Sequence, residues 1–186
     1  MKIGYYVSLY AETLQDPVIP TCNNILDAYR TPVLLLRAKK KGIPTPPFVL
    51  TNSTKEIIYE LGFPLVVFPS NPFSSDGYRI VYSQGGLYKA LKSFGINYNY
   101  PVCAEALLGE VRSVKCIFGE VNHPDVANIG LKFYEEFGIP ICKLYIQTMG
   151  KECFLCSVSP LKTVEIHRKD IQRIKEKLKE LAQTIG

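Results

Sequence analysis

The stretch GFPLVVFPSNPFSSDGYRI, residues 62–80, decides how the chain is read. Gly62 closes a helical segment, and the run from Pro64 to Pro69 has the apolar continuity of a strand. Asn71–Gly77 is crowded with turn formers, after which Tyr78–Ser83 resumes a β-branched and aromatic pattern. Ser74–Gly77 offers backbone N–H groups that can cradle an anion, but Ser-Asp-Gly is first of all turn chemistry.

Working outward, KKGIPTPPFVL at residues 40–50 is a second stretch of the same kind. Thr31 and Pro32 start a helix that runs from Pro32 to Lys41 and ends at Gly42, and Asn23 or Asn24 caps a short helical turn before it. The prolines then lead into an extended Phe48–Leu50. Ser53 or Thr54 caps a helix through Leu61. Strand, helix and strand therefore alternate up to Pro69. The opening MKIGYYVSLY, aromatic and β-branched, reads as a further strand.

Downstream, Leu87–Phe94 reads as a helix, and VCAEALL and SVKCIF as strands separated by Gly109–Arg112. Asp125–Phe137 sets Val126, Ile129, Phe133 and Phe137 on one helical side, ending at Gly138. CKLYIQ and CFLCSV form a hairpin across Thr148–Lys151. In the last helix, Lys169–Ile185, residues Ile171, Ile174, Leu178, Leu181 and Ile185 recur at intervals of three and four and read as a core-facing stripe.

The 186 residues suffice for one substantial core or two small lobes sharing a cleft, and 47% hydrophobic with 21% charged residues is a globular balance. No apolar run reaches the roughly 18–20 residues of a membrane span, and the first residues lack a signal-peptide pattern. The expected location is cytoplasmic, with the six cysteines reduced. A net charge of +5 favours anionic ligands, but it gathers at Arg37–Lys41 and Arg168–Lys179. Without aromatic interleaving these read as solvated helix faces, which leaves nucleic-acid binding through the C-terminal helix as the weakest alternative.

The pairing of KKGIPTPPFVL with ELGFPLVVFP about twenty residues later resembles the ATP-grasp superfamily. The branch most similar is that of the ribosomal-protein glutamate ligase and the lysine-biosynthesis ligase, over roughly Ile19 to the C-terminus. The resemblance implies an α/β (α+β) fold of two small lobes, each of mostly antiparallel sheet with packed helices. It divides the chain into a shortened N-terminal segment at 1–50, a first lobe at 51–97 and a second at 98–186, with any boundary near Asn97–Pro101. It also implies that a small domain, usual before this point in the branch, is missing, so that a cleft wall is absent or supplied by another chain; a homodimer is expected.

What the resemblance implies for chemistry is mostly departure. Its helix Asp-Lys pair falls on Arg30 and Thr31, and its second lysine on Phe68. Of the glycine-rich loop only Gly77 remains, and the metal-holding positions fall near Leu144 and on Ser157–Ser159. Neither serine nor leucine neutralises magnesium, and neither Thr31 nor Phe68 supplies the phosphates with a point charge. Glu105 matches a glutamate beside which the family's adenine is held, and Arg112, or Lys115 if the register slips by three, matches an arginine facing an anionic substrate group. On bland readings Glu105 is an exposed carboxylate and Arg112 a hairpin charge. The expected ligand-binding set is Glu105, Arg112, Lys115, Asp76 and Gly77, with no catalytic residue and no metal ligand.

The expected function is that of a non-catalytic, degenerate ATP-grasp-like protein binding a nucleotide-like or small anionic ligand, or a protein partner. The alternative is an ATP-dependent carboxylate–amine ligase, with ATP and magnesium as cofactors and Arg30, Lys115 and Lys143 as substitute charges converging with Glu105. Cys153 and Cys156 have the spacing of a zinc or redox pair, but on a strand they face opposite ways, so buried structural cysteines are the better reading. Cys142 stands as a candidate disulfide partner across the hairpin. His123 and His167 lie far apart in sequence and read as surface residues.

Overall fold

The computed structural model describes residues 3–71 and 77–185. Its frame is two four-stranded antiparallel sheets. The first contains β1 (Phe48–Thr51), β2 (Leu65–Pro69), β3 (Arg79–Val81) and β4 (Val102–Ala106), in the order β1-β4-β2-β3. The second contains β5 (Glu110–Ile117), β6 (Glu120–Val121), β7 (Ile141–Met149) and β8 (Glu152–Ser159), in the order β6-β5-β7-β8. All ladders are antiparallel. Strand β2 is buried along its whole length because both of its faces are covered, so its sequence shows no alternation.

Among the described residues seven helices pack on this frame: α1 (Ile3–Thr13), α2 (Cys22–Ala28), α3 (Thr31–Lys40), α4 (Thr54–Leu61), α5 (Gln84–Phe94), α6 (Ala127–Phe137) and α7 (Arg168–Ile185). Local chemistry fixes their ends. Ser53 Oγ accepts from the Glu56 N–H at the start of α4, and Gly62, at φ +67°, ends it. The left-handed Gly138 likewise terminates α6.

Three cores result. One face of the first sheet packs on α4 and α5 through Ile57, Leu87, Leu91 and Phe94. The outer face of the second sheet packs on α3 and α6 through Leu34, Ala38, Ile129, Phe133 and Phe137. The two remaining sheet faces meet each other: Val66, Phe68 and Cys103 from the first join Val111, Tyr145 and Cys156 from the second, with Leu35 of α3. This is an α/β fold of two small, mostly antiparallel lobes. The chain passes from one sheet to the other at Leu107–Gly109, where a Cβ on Gly109 would sit 2.0 Å from the Thr148 carbonyl oxygen. Asn97–Pro101 is the connection from α5 to β4.

Three expectations need correction. MKIGYYVSLY is not a strand: from Ile3 it is helix α1. Glu12 ties it to α2 by accepting from the Cys22 N–H at 2.6 Å. Helix α2 is capped by Thr21, whose hydroxyl accepts from the Asn24 N–H, so Asn24 lies inside the helix and not at its cap. The stripe on α7 does not face a core: Ile171 and Leu178 are exposed and Ile174 and Leu181 only half-buried, while the Ile185 side chain lies outside the described residues. Helix α7 is held to the sheet by ion pairs, not by its apolar side. Among the described residues, no helix is long and apolar enough to cross a membrane.

Candidate functional site

In an antiparallel ladder, directly opposed residues put their side chains on the same face. The inward face of the second sheet therefore carries three rows across β5, β7 and β8: Val111, Gln147 and Phe154; Ser113, Tyr145 and Ser157; Lys115, Lys143 and Ser159. An extra residue in β8, Cys156, interrupts the ladder between the first two rows and also points inward.

The first row meets the crossover between sheets. Gln147 is fully buried; its amide nitrogen donates to the Ala106 carbonyl at 3.2 Å and its amide oxygen accepts from the Leu108 N–H at 2.7 Å. One side chain thus pairs with both the Ala106 carbonyl and the Leu108 N–H of the crossover. Beside it, Glu105 is 0% exposed, and neither carboxyl oxygen has a hydrogen-bond partner among the described residues. Burial pushes its carboxyl well above the ordinary carboxylate range. The Cys156 thiol and the Gln147 amide lie close enough to pull the other way, but neither reaches hydrogen-bond geometry, so burial dominates. The Cys103 and Cys156 thiols are also pushed up, first by burial and then by the neighbouring Glu105.

The second row is aromatic. Phe68, 0% exposed, packs on Tyr145 at 5.6 Å and on Tyr78 at 5.7 Å between ring centroids, and the two tyrosines lie 5.7 Å apart. The Tyr78 hydroxyl donates to the Val111 carbonyl. Alongside, buried Thr31 bridges the two sheets. Its hydroxyl donates to the Pro69 carbonyl at 3.1 Å, and since that uses its one proton, Ser157 Oγ donates to Thr31 Oγ1, also at 3.1 Å.

The third row is cationic. Lys143 Nζ lies 2.9 Å from Glu165, and Lys115 Nζ lies 2.8 Å from Asp170, both carboxylates coming from the segment that follows β8. Glu165 also accepts from the Lys162 N–H, and Asp170 from the His167 N–H. Both carboxyls are held below their ordinary range, Glu165 first by the Lys162 N–H and then by Lys143, Asp170 first by Lys115 and then by the His167 N–H.

Among the described residues, Glu105, Arg112 and Lys115 of the expected ligand set are not brought to one place. Glu105 lies between the sheets and is not an exposed carboxylate. Arg112, three residues from Lys115, stands on the other face of β5 and pairs with Asp125, which it holds below the usual range, while its Nε is buried without a partner among the described residues. Lys115 lies in the third row. Gly77 adopts φ +89°, which favours glycine, and Asp76 lies outside the described residues together with Ser74 and Ser75. Arg30 precedes α3 without a side-chain capping bond. Cys153 and Cys156 belong to different cores, and Cys142 lies opposite Cys116, not across the hairpin from Cys153, whose partner is Thr148.

Gln147 and Tyr145 belong to no motif in the sequence, and the signal that marks them is a period of two from Lys143 along β7, which places Lys143, Tyr145 and Gln147 on one face. Magnesium needs carboxylate and phosphate oxygens. Near Leu144 and Ser157–Ser159 the inward groups of the strands are ammonium and hydroxyl, with the Ser157 hydroxyl engaged by Thr31, and the two carboxylates over them, Glu165 and Asp170, are already paired with Lys143 and Lys115. These residues do not fit a magnesium ion.

Comparison with known proteins agrees with the frame. The D-alanine–D-alanine ligase of Bacillus anthracis superposes with a TM-score of 0.72 at 18% identity, covering 97% of this chain and 77% of that one. A RimK-domain ATP-grasp protein from Sphaerobacter thermophilus gives 0.69 at 12% identity, covering 91% of this chain and 71% of the other. In sequence, the D-alanine–D-alanine ligase of Methylacidiphilum infernorum is 41% identical over 69 residues. That match spans 37% of this chain and only 22% of the relative. No family model matches the chain. These likenesses show the fold alone, an ATP-grasp-like arrangement of two antiparallel lobes.

Proposed function

We propose that this chain is a non-catalytic binding protein built on the ATP-grasp fold, taking a small anionic ligand or a protein partner. The observation that carries the reading is the direct bond between Thr31 and Ser157. These are the positions at which the resemblance expects a phosphate-binding lysine and a metal-binding carboxylate, and here two short hydroxyl side chains bridge the gap themselves. Phe68, at the second expected lysine, fills its surroundings with aromatic surface. Phosphoryl transfer relies on positioned charge, and a missing group worth about 1.4 kcal/mol already slows a reaction about tenfold. Losing two lysines and the metal carboxylates removes many such factors.

Within the superfamily, the two Gly-hydrophobic-Pro strands support the glutamate-ligase branch, while the 69-residue match supports the D-alanine–D-alanine ligases. That match also favours the second reading, an ATP-dependent carboxylate–amine ligase with displaced site residues. The exposed Tyr6, Val7 and Tyr10 of α1 support a homodimer as part of the first reading. Isothermal titration with ATP, with and without magnesium, separates the two. The binding-protein reading expects no gain in affinity from the metal, whereas micromolar, magnesium-dependent binding would favour the ligase.

A further inference from the structure

We infer that the row Lys115–Lys143–Ser159 is a metal-independent site for a phosphate-class oxyanion, capped in this structure by Glu165 and Asp170. The inference rests on the binding-protein reading above and names its ligand class and place.

Like charges placed directly opposite on neighbouring strands repel. Lys115 and Lys143 are such a pair, and Ser159 extends the row on the same face. Such a row is stable only if anions lie over it, and the carboxylates of Glu165 and Asp170 do so from the chain that follows β8. Two ion pairs would complete the account if nothing else were present. They leave one group unexplained: the Ser159 hydroxyl is 1% exposed, and its oxygen has no hydrogen-bond partner among the described residues. A buried hydroxyl without a partner is unfavourable, and a Glu165 carboxylate already committed to Lys143 and the Lys162 N–H has not satisfied it. A tetrahedral oxyanion has the additional oxygens to accept from Lys143, Lys115 and Ser159 together.

Of the two caps Glu165 is the one that can yield: it lies on a short 3-10 turn beyond the last strand with its side chain 31% exposed, whereas Asp170 is buried and α7 is tied to the sheet through Arg173 as well. Two lysines supply here the positive charge that a divalent ion would bring, so the site needs no metal. Gln147 already pairs with the Ala106 carbonyl and the Leu108 N–H at the far row, so a base attached to the phosphate gains nothing from those two groups.

The test is titration of the full chain with pyrophosphate at low ionic strength in EDTA, by calorimetry and by amide chemical-shift change. The wild type binds. Glu165→Gln keeps an acceptor for the Lys162 N–H but removes the competing charge, and binds about tenfold more tightly; Lys143→Gln weakens binding by at least about tenfold in either background. ATP binds no more tightly than tripolyphosphate. Absence of saturable binding by Glu165→Gln would overturn the site, as would binding indifferent to Lys143→Gln, binding that needs magnesium, or an adenosine-dependent gain. These failures leave the binding-protein reading standing. ATP turnover in a separate assay would end that reading without touching the pyrophosphate result.

Discussion

Replacing Glu105 by glutamine should flatten the pH dependence of stability between pH 5 and pH 7. In the folded chain the Glu105 carboxyl is completely buried without a hydrogen bond, and burial raises its pKa well above the ordinary value. In the unfolded chain it titrates near 4.3. The folded state therefore holds a proton that the unfolded state has released, and stability falls as pH rises from the unfolded pKa toward the folded one. Each pH unit in that window removes up to about 1.4 kcal/mol, so two units remove up to about 2.7 kcal/mol. For a chain of this length the upper limit corresponds to a Tm lower by roughly 5–10 °C at pH 7 than at pH 5. Asp125, Glu136, Glu165 and Asp170 have depressed pKa values, so their contribution is present above the unfolded pKa and is lost only as pH falls through the folded one, below this window. Glu105→Gln has no proton to lose. The assay is thermal unfolding followed by circular dichroism at half-unit pH steps for both proteins. Parallel slopes would refute the reasoning, because they would mean Glu105 is ionised in the folded chain.

Other expectations follow from the same contacts. Phe68→Ala empties the centre of the three-ring cluster and should lower stability by about 3–5 kcal/mol, measured by urea denaturation. Gln147→Leu leaves the Ala106 carbonyl and the Leu108 N–H without their side-chain partner, at about 1–3 kcal/mol for each, and amide exchange at Leu108 should accelerate. Gly109→Ala drives a methyl group into the Thr148 carbonyl at 2.0 Å and should cost more than about 2 kcal/mol in the same denaturation assay. A chain that accepted that alanine without loss would contradict the described crossover between the sheets.

Much of the frame is legible in sequence because local rules and tertiary packing agree there. Ser53 and Gly62 bracket α4, Gly138 closes α6, and the Thr148–Lys151 turn joins β7 to β8, all as the residue types imply. The opening segment misleads because Tyr5, Tyr6, Val7 and Tyr10 have strand propensity, and propensity yields to tertiary context, here the contact of α1 with α2. Helix α7 misleads in another way: a helical apolar period gives a face but not what covers it. At the candidate site, the absence of charge at Thr31 and Phe68 can be read directly from the sequence. What replaces it cannot, since Thr31–Ser157 and Gln147–Leu108 join residues distant along the chain and depend on the register of the second sheet. The burial of Glu105 has the same origin, because a glutamate in a strand between two covered faces looks in sequence like any alternating polar residue.

The most direct test of the central claim, the proposal that this chain binds without turning over ATP, is release of ADP or phosphate by the purified chain. The mixture should contain ATP, magnesium and a panel of carboxylates and amines. The account predicts no release above that of the protein-free mixture. Turnover that disappears in Glu105→Gln or Arg112→Ala would contradict it.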